Sequence, residues 1–221
     1  MELDGGLFSS GAHWLFAGIW CLALYLAVRL APWSRLRDPS QLNAFLGSVV
    51  ALILLWHVRA DVQAGISFHL LGMTALTLMF GWSLAVIASA LVLAAVILNG
   101  HLGWNSFFVS TLVTGVIPVT LSQIWAVLIC SLLPRNFFVF VLVNGFFTAG
   151  FVGVAAGYLA LGLLISTGAY SYAELGRTIL PFFPLMFLPE AVVNGWVITM
   201  LVAFRPEWVG AFSDELYLKG K

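Results

Sequence analysis

Residues 137–166 read FFVFVLVNGFFTAGFVGVAAGYLALGLLIS and contain no charged side chain. A helix needs about 20 mostly apolar residues to cross the hydrocarbon core of a bilayer, so this stretch predicts a transmembrane helix with length to spare. The whole chain has the same character, since 62% of its 221 residues are hydrophobic and 8% are charged. Soluble domains carry roughly 25% charged residues. The sequence therefore predicts an integral membrane protein, with the lipid bilayer as its first partner.

Six further apolar runs accompany the one quoted. They cover residues 12–31, 41–57, 66–80, 82–98, 106–133 and 178–204. The chain thus predicts an all-α, polytopic bundle of about seven transmembrane helices, forming a single permease domain over residues 1–221. The runs on either side of Gly81 are short, and predict either two thin spans or a helix pair that enters and leaves while buried in protein. Pro118 predicts a kink in the run 106–133.

The charges in the predicted loops indicate an orientation. Seven of the nine basic residues fall on one side of a seven-span topology, and two fall on the other. Because cytoplasmic loops carry an excess of basic residues, the N-terminus is predicted outside and the C-terminus inside, with a cytoplasmic tail at about 205–221. We expect a multi-pass protein of the plasma (inner) membrane. The seven are Arg29, Arg35, Arg37, Arg135, Arg205, Lys219 and Lys221, and the two are Arg59 and Arg177.

Imidazole groups are concentrated on the predicted outer side. All four histidines fall there, namely His13, His57, His69 and His101, and Glu2, Asp4 and Asp61 share that side. Imidazole and carboxylate are ligands for zinc, nickel, cobalt and ferrous iron. The pattern predicts an outward-facing metal site. The alternative is that these amphipathic rings simply lie at the membrane interface, since HxxxH and CxxC pairs are lacking.

Glu190 is the one acidic residue well inside the last apolar run. Pro189 is suited to opening a helix, so Glu190 is predicted in a first turn, with Asn194 one turn later on the same face. An ionisable group at this depth is either functional or a structural carboxyl hydrogen-bonded to a neighbouring helix. Polar side chains down one side of the fifth run are predicted either to line a cavity or to form hydrogen bonds across helices. They are Asn105, Ser106, Ser110, Thr111 and Thr114.

Small and aromatic residues give two packing predictions. Glycines in the run 137–166 are expected to allow close helix approach, because small residues let membrane helices pack tightly. Tryptophans near the ends of runs are expected to form an interfacial aromatic belt. The glycines are Gly145, Gly150, Gly153 and Gly157, and the tryptophans are Trp14, Trp33, Trp56, Trp104 and Trp208.

Several classes of function are disfavoured by the sequence. The chain lacks the GxxxxGK[ST] phosphate loop, the GxSxG elbow and the HExxH zinc motif. Its net charge is zero, without a basic patch that would suit nucleic acid. We therefore expect neither an enzyme nor a nucleic-acid-binding protein. If ATP drives transport, another subunit must supply the ATPase.

Several segments together resemble a known family. Residues 65–72, GISFHLLG, followed by an apolar helix, Gly81-Trp82 and the turn to residues 114–116, resemble the membrane substrate-binding subunit of cobalt and nickel energy-coupling-factor transporters, the CbiM/NikM type. Residues 189–194, PEAVVN, and 205–207, RPE, are similar to that family's closing Gly-Glu-Gly helix and Arg-Pro-Asp end. The opening MELDGGLF aligns with the family's Met-His-Ile-Pro-Asp-Gly-Phe-Leu. Together these segments cover most of the chain.

The resemblance implies a metal site at the N-terminus. It implies that the amine of Met1, the side chain at position 2 and His69 bind a divalent transition metal, cobalt or nickel, as substrate. Glu2 stands where the family has histidine, which replaces a nitrogen donor by a harder oxygen. Three outcomes follow: the metal differs, His57 or His101 substitutes as a ligand, or metal transport has been lost.

The sequence leads to three functional hypotheses. The main one is a permease subunit that captures a divalent transition metal at an outward-facing histidine site. Uptake would need an energy-coupling transmembrane scaffold and ATPase subunits. The second hypothesis is a membrane accessory or interaction protein that kept the fold but lost metal transport. The third is a proton-coupled carrier that uses Glu190.

Overall fold

The computed structural model describes residues 2–63 and 66–217. Met1, whose amine is a predicted metal ligand, lies outside the described residues. Within them, six helices are long and apolar enough to cross a membrane, which confirms the predicted all-α, multi-pass bundle. They are α1 (Ser10–Leu30), α2 (Pro39–His57), α3 (Met73–Leu98), α4 (Trp104–Leu132), α5 (Val139–Ser166) and α7 (Phe183–Phe204). Two short helices are α6 (Tyr172–Thr178) and α8 (Asp214–Tyr217).

The first two helices begin at side-chain caps. The Ser9 side chain accepts a hydrogen bond from the Ala12 backbone N–H, and the Asp38 side chain accepts one from Ser40. Such caps satisfy backbone donors that have no partner inside the helix. α1 buries only Phe16 and Ala27 against the protein, so its remaining apolar surface is available to lipid.

α3 consists of two arms joined at Gly81, where φ is 78° and ψ is 172°. This backbone conformation is essentially restricted to glycine. The first arm, 73–80, runs antiparallel to α2: Gly72 at its start lies against Leu52, and the Phe80 ring at its end lies 5.4 Å from the Phe45 ring. Every residue of this arm is buried.

The second arm, 82–98, returns toward the end of α2. Just beyond it, the Asn99 side-chain amide lies 3.3 Å from His57 Nε2, at the last residue of α2. The chain therefore reverses direction between the two arms. The predicted runs 66–80 and 82–98 contain separate helical arms, and the first arm is a short helix enclosed by protein.

Replacing Gly81 by alanine should destabilise the fold through the backbone alone. The space where a Cβ would stand is open, so the cost is that of the left-handed φ, about 1–3 kcal/mol. The measurement is the midpoint of thermal unfolding of the purified protein in nanodiscs. Gly18→Ala is the matched control, because Gly18 lies in α1 with equally open space and should be neutral or slightly stabilising. Equal midpoints for the two variants would contradict the reversal at Gly81.

A small antiparallel sheet precedes α3, with strands β1 (Glu2–Leu3), β2 (Arg59–Gln63) and β3 (Ile66–His69) in the order β1-β3-β2. The predicted helical run from residue 66 is wrong at its start. Here β3 satisfies its backbone hydrogen bonds with a strand on each side, so these residues need no helix. The helix begins only after Gly72.

α7 departs from prediction in one respect and agrees in another. It begins at Phe183, with a proline in its first turn, and Pro189 lies inside it. The prediction that Pro189 opens the helix and places Glu190 in a first turn is therefore wrong. The predicted close packing by glycines is confirmed along the contact between α5 and α7. There, Gly145 faces Ile198, Gly150 faces Phe187, Gly153 faces Glu190 and Gly157 faces Phe183.

α4 contains a π-helical turn at Leu112–Val116, immediately before Pro118 in the chain. Proline has no backbone N–H and disturbs the turn that precedes it, which accounts for the position of the irregularity. The predicted distortion of this helix thus takes the form of a widened turn.

Candidate metal-capture site

The three-stranded sheet brings three side chains onto one face. Arg59 on β2 is paired directly with His69 on β3, and Glu2 on β1 is paired with Ser67. Because residues two apart on a strand point to the same face, Glu2, His69 and Arg59 are neighbours across the sheet. The pairing thus joins the chain's second residue to a histidine far along the sequence.

His69 is presented as a ready ligand. Its Nδ1 lies 3.0 Å from the Leu70 carbonyl oxygen, and because a carbonyl only accepts, this nitrogen carries the hydrogen. In the neutral ring the lone pair is then on Nε2. That atom is buried, has no hydrogen-bond partner among the described residues, and faces Glu2 Oε1 at 3.7 Å. An imidazole oriented through its other nitrogen is the usual form of a metal-binding histidine.

Trp56 supports the histidine from the side. Its ring lies 4.6 Å from the His69 ring, and its Nε1 donates to the Leu71 carbonyl oxygen at 3.0 Å. Trp56 is fully buried, so its predicted place in an interfacial belt is wrong. Trp14, Trp33 and Trp104 are exposed, as a belt requires.

Arg59 links Glu2 to His101, and its part in the site was not predicted from the sequence. Its Nη1 lies 3.3 Å from Glu2 Oε2 in an ion pair, and its Nη2 lies 3.0 Å from His101 Nδ1. The only signal in the sequence was the scarcity of cations on this side of the predicted topology. Spacing alone cannot show that Arg59 pairs with His69 across a hairpin.

The remaining histidine candidates lie beyond Arg59. The rings of His57 and His101 contact each other at 4.6 Å. His57 has a partner for each nitrogen, since Nδ1 bonds the Ile53 carbonyl oxygen at 2.6 Å and Nε2 is 3.3 Å from the Asn99 amide. Within residues 2–63 and 66–217, no group of three or more histidine, cysteine or acidic side chains is placed to hold a metal ion. The structure brings together Glu2 and His69, with His101 reached through Arg59.

The N-terminal strand is fastened on its other side by α4. Ser110 Oγ accepts from the Leu3 N–H at 3.2 Å and donates to the Leu3 carbonyl oxygen at 3.0 Å. Ser106 Oγ accepts from the Gly5 N–H at 2.8 Å, and a Cβ at Gly5 would collide with the Asn105 carbonyl group. These serine hydroxyls therefore bond across elements, and they place Glu2 inside the protein.

Glu190 and Asn194 hold the segment that follows His69. The two Glu190 oxygens accept from the Leu71 and Gly72 N–H groups, each at 2.8 Å, and Asn194 Oδ1 accepts from the Ala75 N–H at 2.8 Å. The Asn194 amide also donates to Glu190 Oε1 at 2.9 Å. These backbone groups form the buried N-terminus of the first arm of α3, where lipid offers no substitute partner. The geometry is that of a structural carboxylate bonded to a neighbouring helix.

A cavity of about 470 Å³ lies against this site. His69 and Arg59 line it on one side, and Leu185 and Met186 of α7 line it on the other. Its walls are mostly apolar, and Glu190 also lines it with both carboxylate oxygens already bonded to backbone N–H groups. His69 is therefore the lining side chain that could bind a metal ion entering the cavity, since Arg59 is itself a cation.

Comparison with known families agrees with this geometry. Residues 3–208 match the model of the CbiM family, described as the cobalt uptake substrate-specific transmembrane region. The chain belongs to the CbiM family. No curated protein and no solved structure matches it. CbiM proteins are membrane components of cobalt uptake, and the family is one of transporter components rather than of enzymes. The chain is accordingly a multi-pass protein of the plasma membrane.

At position 2 the chain differs from the family pattern that the resemblance gave. The resemblance places a histidine there, and this chain places Glu2, whose carboxylate occupies the same sheet face as His69. The replacement preserves a metal-binding side chain type, but it introduces a negative charge that Arg59 balances.

Proposed function

We propose that this CbiM protein is the substrate-capturing subunit of a transporter for a divalent transition metal, cobalt or nickel. The observation that carries the proposal is the buried His69 Nε2, which faces Glu2 Oε1 at 3.7 Å without a hydrogen bond among the described residues. Metal–nitrogen and metal–oxygen bonds are both about 2 Å long, so an ion between these two atoms would need only a small adjustment. The cargo ion is the substrate of the protein.

Two side chains are too few to hold such an ion tightly. The family resemblance supplies a third donor, the amine of Met1, which directly precedes Glu2 in the chain. The set would then contain two nitrogens and one oxygen, which suits cobalt, nickel or zinc. His101 lies beyond Arg59, whose Nη2 is 3.0 Å from its Nδ1, so we do not count it among these donors.

Uptake of the ion requires a site that faces outward and partner subunits that supply energy. We propose that the site faces outward, because seven of the nine basic residues fall on the opposite side of the predicted topology, and positive charge favours the cytoplasm. Since the chain has no nucleotide-binding motif, an energy-coupling scaffold and ATPase subunits would supply the driving force.

Replacing His69 by alanine should abolish capture of the ion. We expect purified wild-type protein to retain close to one Co²⁺ per chain after equilibrium dialysis, and His69→Ala to retain almost none. Elemental analysis at neutral pH or above is the measurement, because the ligands must be deprotonated to bind. His13→Ala is the matched control, since His13 hydrogen-bonds the Ser9 carbonyl oxygen at the start of α1 and should bind like wild type. Unchanged binding by His69→Ala would refute the proposal.

A second candidate function is a membrane accessory protein that kept the fold and lost metal capture. The observation in its favour is the Arg59–Glu2 ion pair, which gives the carboxylate a partner without metal. This candidate predicts that folded, monodisperse protein retains no cobalt or nickel at micromolar concentrations. The dialysis experiment therefore separates the two functions.

A further inference from the structure

Arg59 occupies an unusual position for a cation. It is paired directly with His69 across the hairpin, its side chain is 17% exposed, and it lines the same cavity. Its Nη1 is 3.3 Å from Glu2 Oε2, whereas His69 faces the other carboxylate oxygen, Oε1. A positive side chain thus stands beside the two atoms that face each other for a metal ion.

We propose that Arg59 is an internal counter-cation that competes with the metal for Glu2, so that metal capture is an exchange of one cation for another. The inference rests on the proposed function for the identity of the ion. In the metal-free protein the Arg59 guanidinium neutralises Glu2. When a divalent ion binds Glu2 and His69, the guanidinium leaves the carboxylate.

The structure provides a place for the displaced side chain. Arg59 Nη2 is already 3.0 Å from His101 Nδ1 and 3.4 Å from the His101 carbonyl oxygen. Both are acceptor positions, and the carbonyl keeps its acceptor capacity whatever the state of the imidazole. A small rotation of the Arg59 side chain can therefore release Glu2 while the guanidinium keeps its contacts with His101. His101 becomes the resting partner of Arg59 rather than a metal ligand.

Electrostatics gives the exchange its direction. In the metal-free protein the charges of Glu2 and Arg59 cancel. Once a divalent ion binds Glu2, the carboxylate no longer neutralises Arg59, and two positive charges stand at short range. Repulsion between close charges is weakly screened in a buried site. Arg59 should accordingly weaken metal binding, and its removal should strengthen binding. A residue needed only for folding would produce the opposite effect.

The test measures Co²⁺ binding to the full-length protein in nanodiscs by titration calorimetry. Arg59→Met keeps the length of the side chain without its charge, and it should bind Co²⁺ about tenfold or more tightly than wild type. Arg59→Lys retains the charge and should stay closer to wild type than Arg59→Met. Arg177→Met is the matched control, because it removes the exposed arginine on the same predicted side and should leave the affinity unchanged.

Each outcome has a definite reading. Binding by Arg59→Met that equals or falls below wild-type binding overturns the exchange. If Arg59→Met is not monodisperse, Arg59→Gln takes its place against Arg59→Lys, and equal affinities of those two overturn it. Binding by Arg59→Met alone, with none by wild type, supports the counter-cation but refutes capture by the native chain. Absence of binding in every variant refutes both the exchange and the proposed function.

Discussion

Replacing Glu190 by glutamine is expected to lower both the thermal stability of the protein and its affinity for Co²⁺. The two carboxylate oxygens each accept one backbone N–H, from Leu71 and Gly72. Glutamine keeps one acceptor and turns an amide N–H toward the other donor, which is left unsatisfied in a buried place. We expect a loss of roughly 2–4 kcal/mol of stability. The readouts are the thermal unfolding midpoint and the dissociation constant measured by calorimetry.

The effect on metal affinity follows from the position of the anchored backbone. Leu71 and Gly72 come two and three residues after His69, so loss of their anchor releases the segment that positions the imidazole. We expect Co²⁺ binding at least about tenfold weaker, the equivalent of 1.4 kcal/mol. A control is Glu207→Gln, which alters an exposed pair with Arg205 at 3.6 Å and should change stability by less than about 1 kcal/mol.

The same variant separates two roles for Glu190. A proton-coupled carrier that depends on Glu190 predicts loss of flux with metal binding and stability intact. The anchoring role predicts that stability and binding fall together. Wild-type values for both in Glu190→Gln would contradict the anchor.

The sequence was a good guide wherever one physical rule governs a long segment. A long uncharged stretch in a membrane is expected to form a helix, and residues 137–166 contain α5. The glycines within it were assigned to close packing on size alone, and Gly150 and Gly157 contact the aromatic rings of α7. In these cases the environment is set by lipid and by the absence of a Cβ, and both are visible in the sequence.

Prediction failed where distant segments share their hydrogen bonds. Ile66–His69 is apolar enough to continue a helix, but it lies between β1 and β2, and neither pairing has a local signal. Pro189 was assigned to a helix start by a sound local rule, yet α7 begins six residues earlier at Phe183. The N-terminus that Glu190 stabilises belongs to the first arm of α3, which only the tertiary fold brings into reach.

The candidate site was also predicted only in part from the sequence. His69 and Glu2 were identified from the resemblance, and the sheet register places them together. Arg59 was overlooked because its role depends on pairing across a hairpin and on Glu2 standing where the family has histidine. Arg59 supplies the partner of opposite charge that the buried Glu2 carboxylate needs.

The first arm of α3 is held by charge at both of its ends. Glu190 accepts from the N–H groups at its start, and Arg35 donates to the Met79 carbonyl oxygen near its end, which matches the helix dipole in both places. Arg35 Nη1 donates to the Met79 carbonyl oxygen at 2.9 Å, and Nη2 donates to the Trp208 carbonyl oxygen at 3.3 Å. Its Nε also donates to Gln41 Oε1 at 2.9 Å. Burial lowers the pKa of the Arg35 guanidinium, but this group keeps its proton in proteins.

Replacing Arg35 by methionine should therefore destabilise the end of the bundle opposite the metal site while leaving Co²⁺ affinity near the wild-type value. Methionine can keep the contact with the Phe80 ring, but it cannot donate to the three acceptors, and we expect a loss of roughly 2–4 kcal/mol. The segment at Trp208 should become easier to cleave after Glu207 by a glutamate-specific protease. Arg37→Met, in the same turn but exposed, should behave like wild type in both assays. Unchanged stability and cleavage in Arg35→Met would show that the carbonyl end of this arm is held without the guanidinium. A fall in Co²⁺ affinity equal to that of Glu190→Gln would show instead that the arm transmits strain along its whole length to His69.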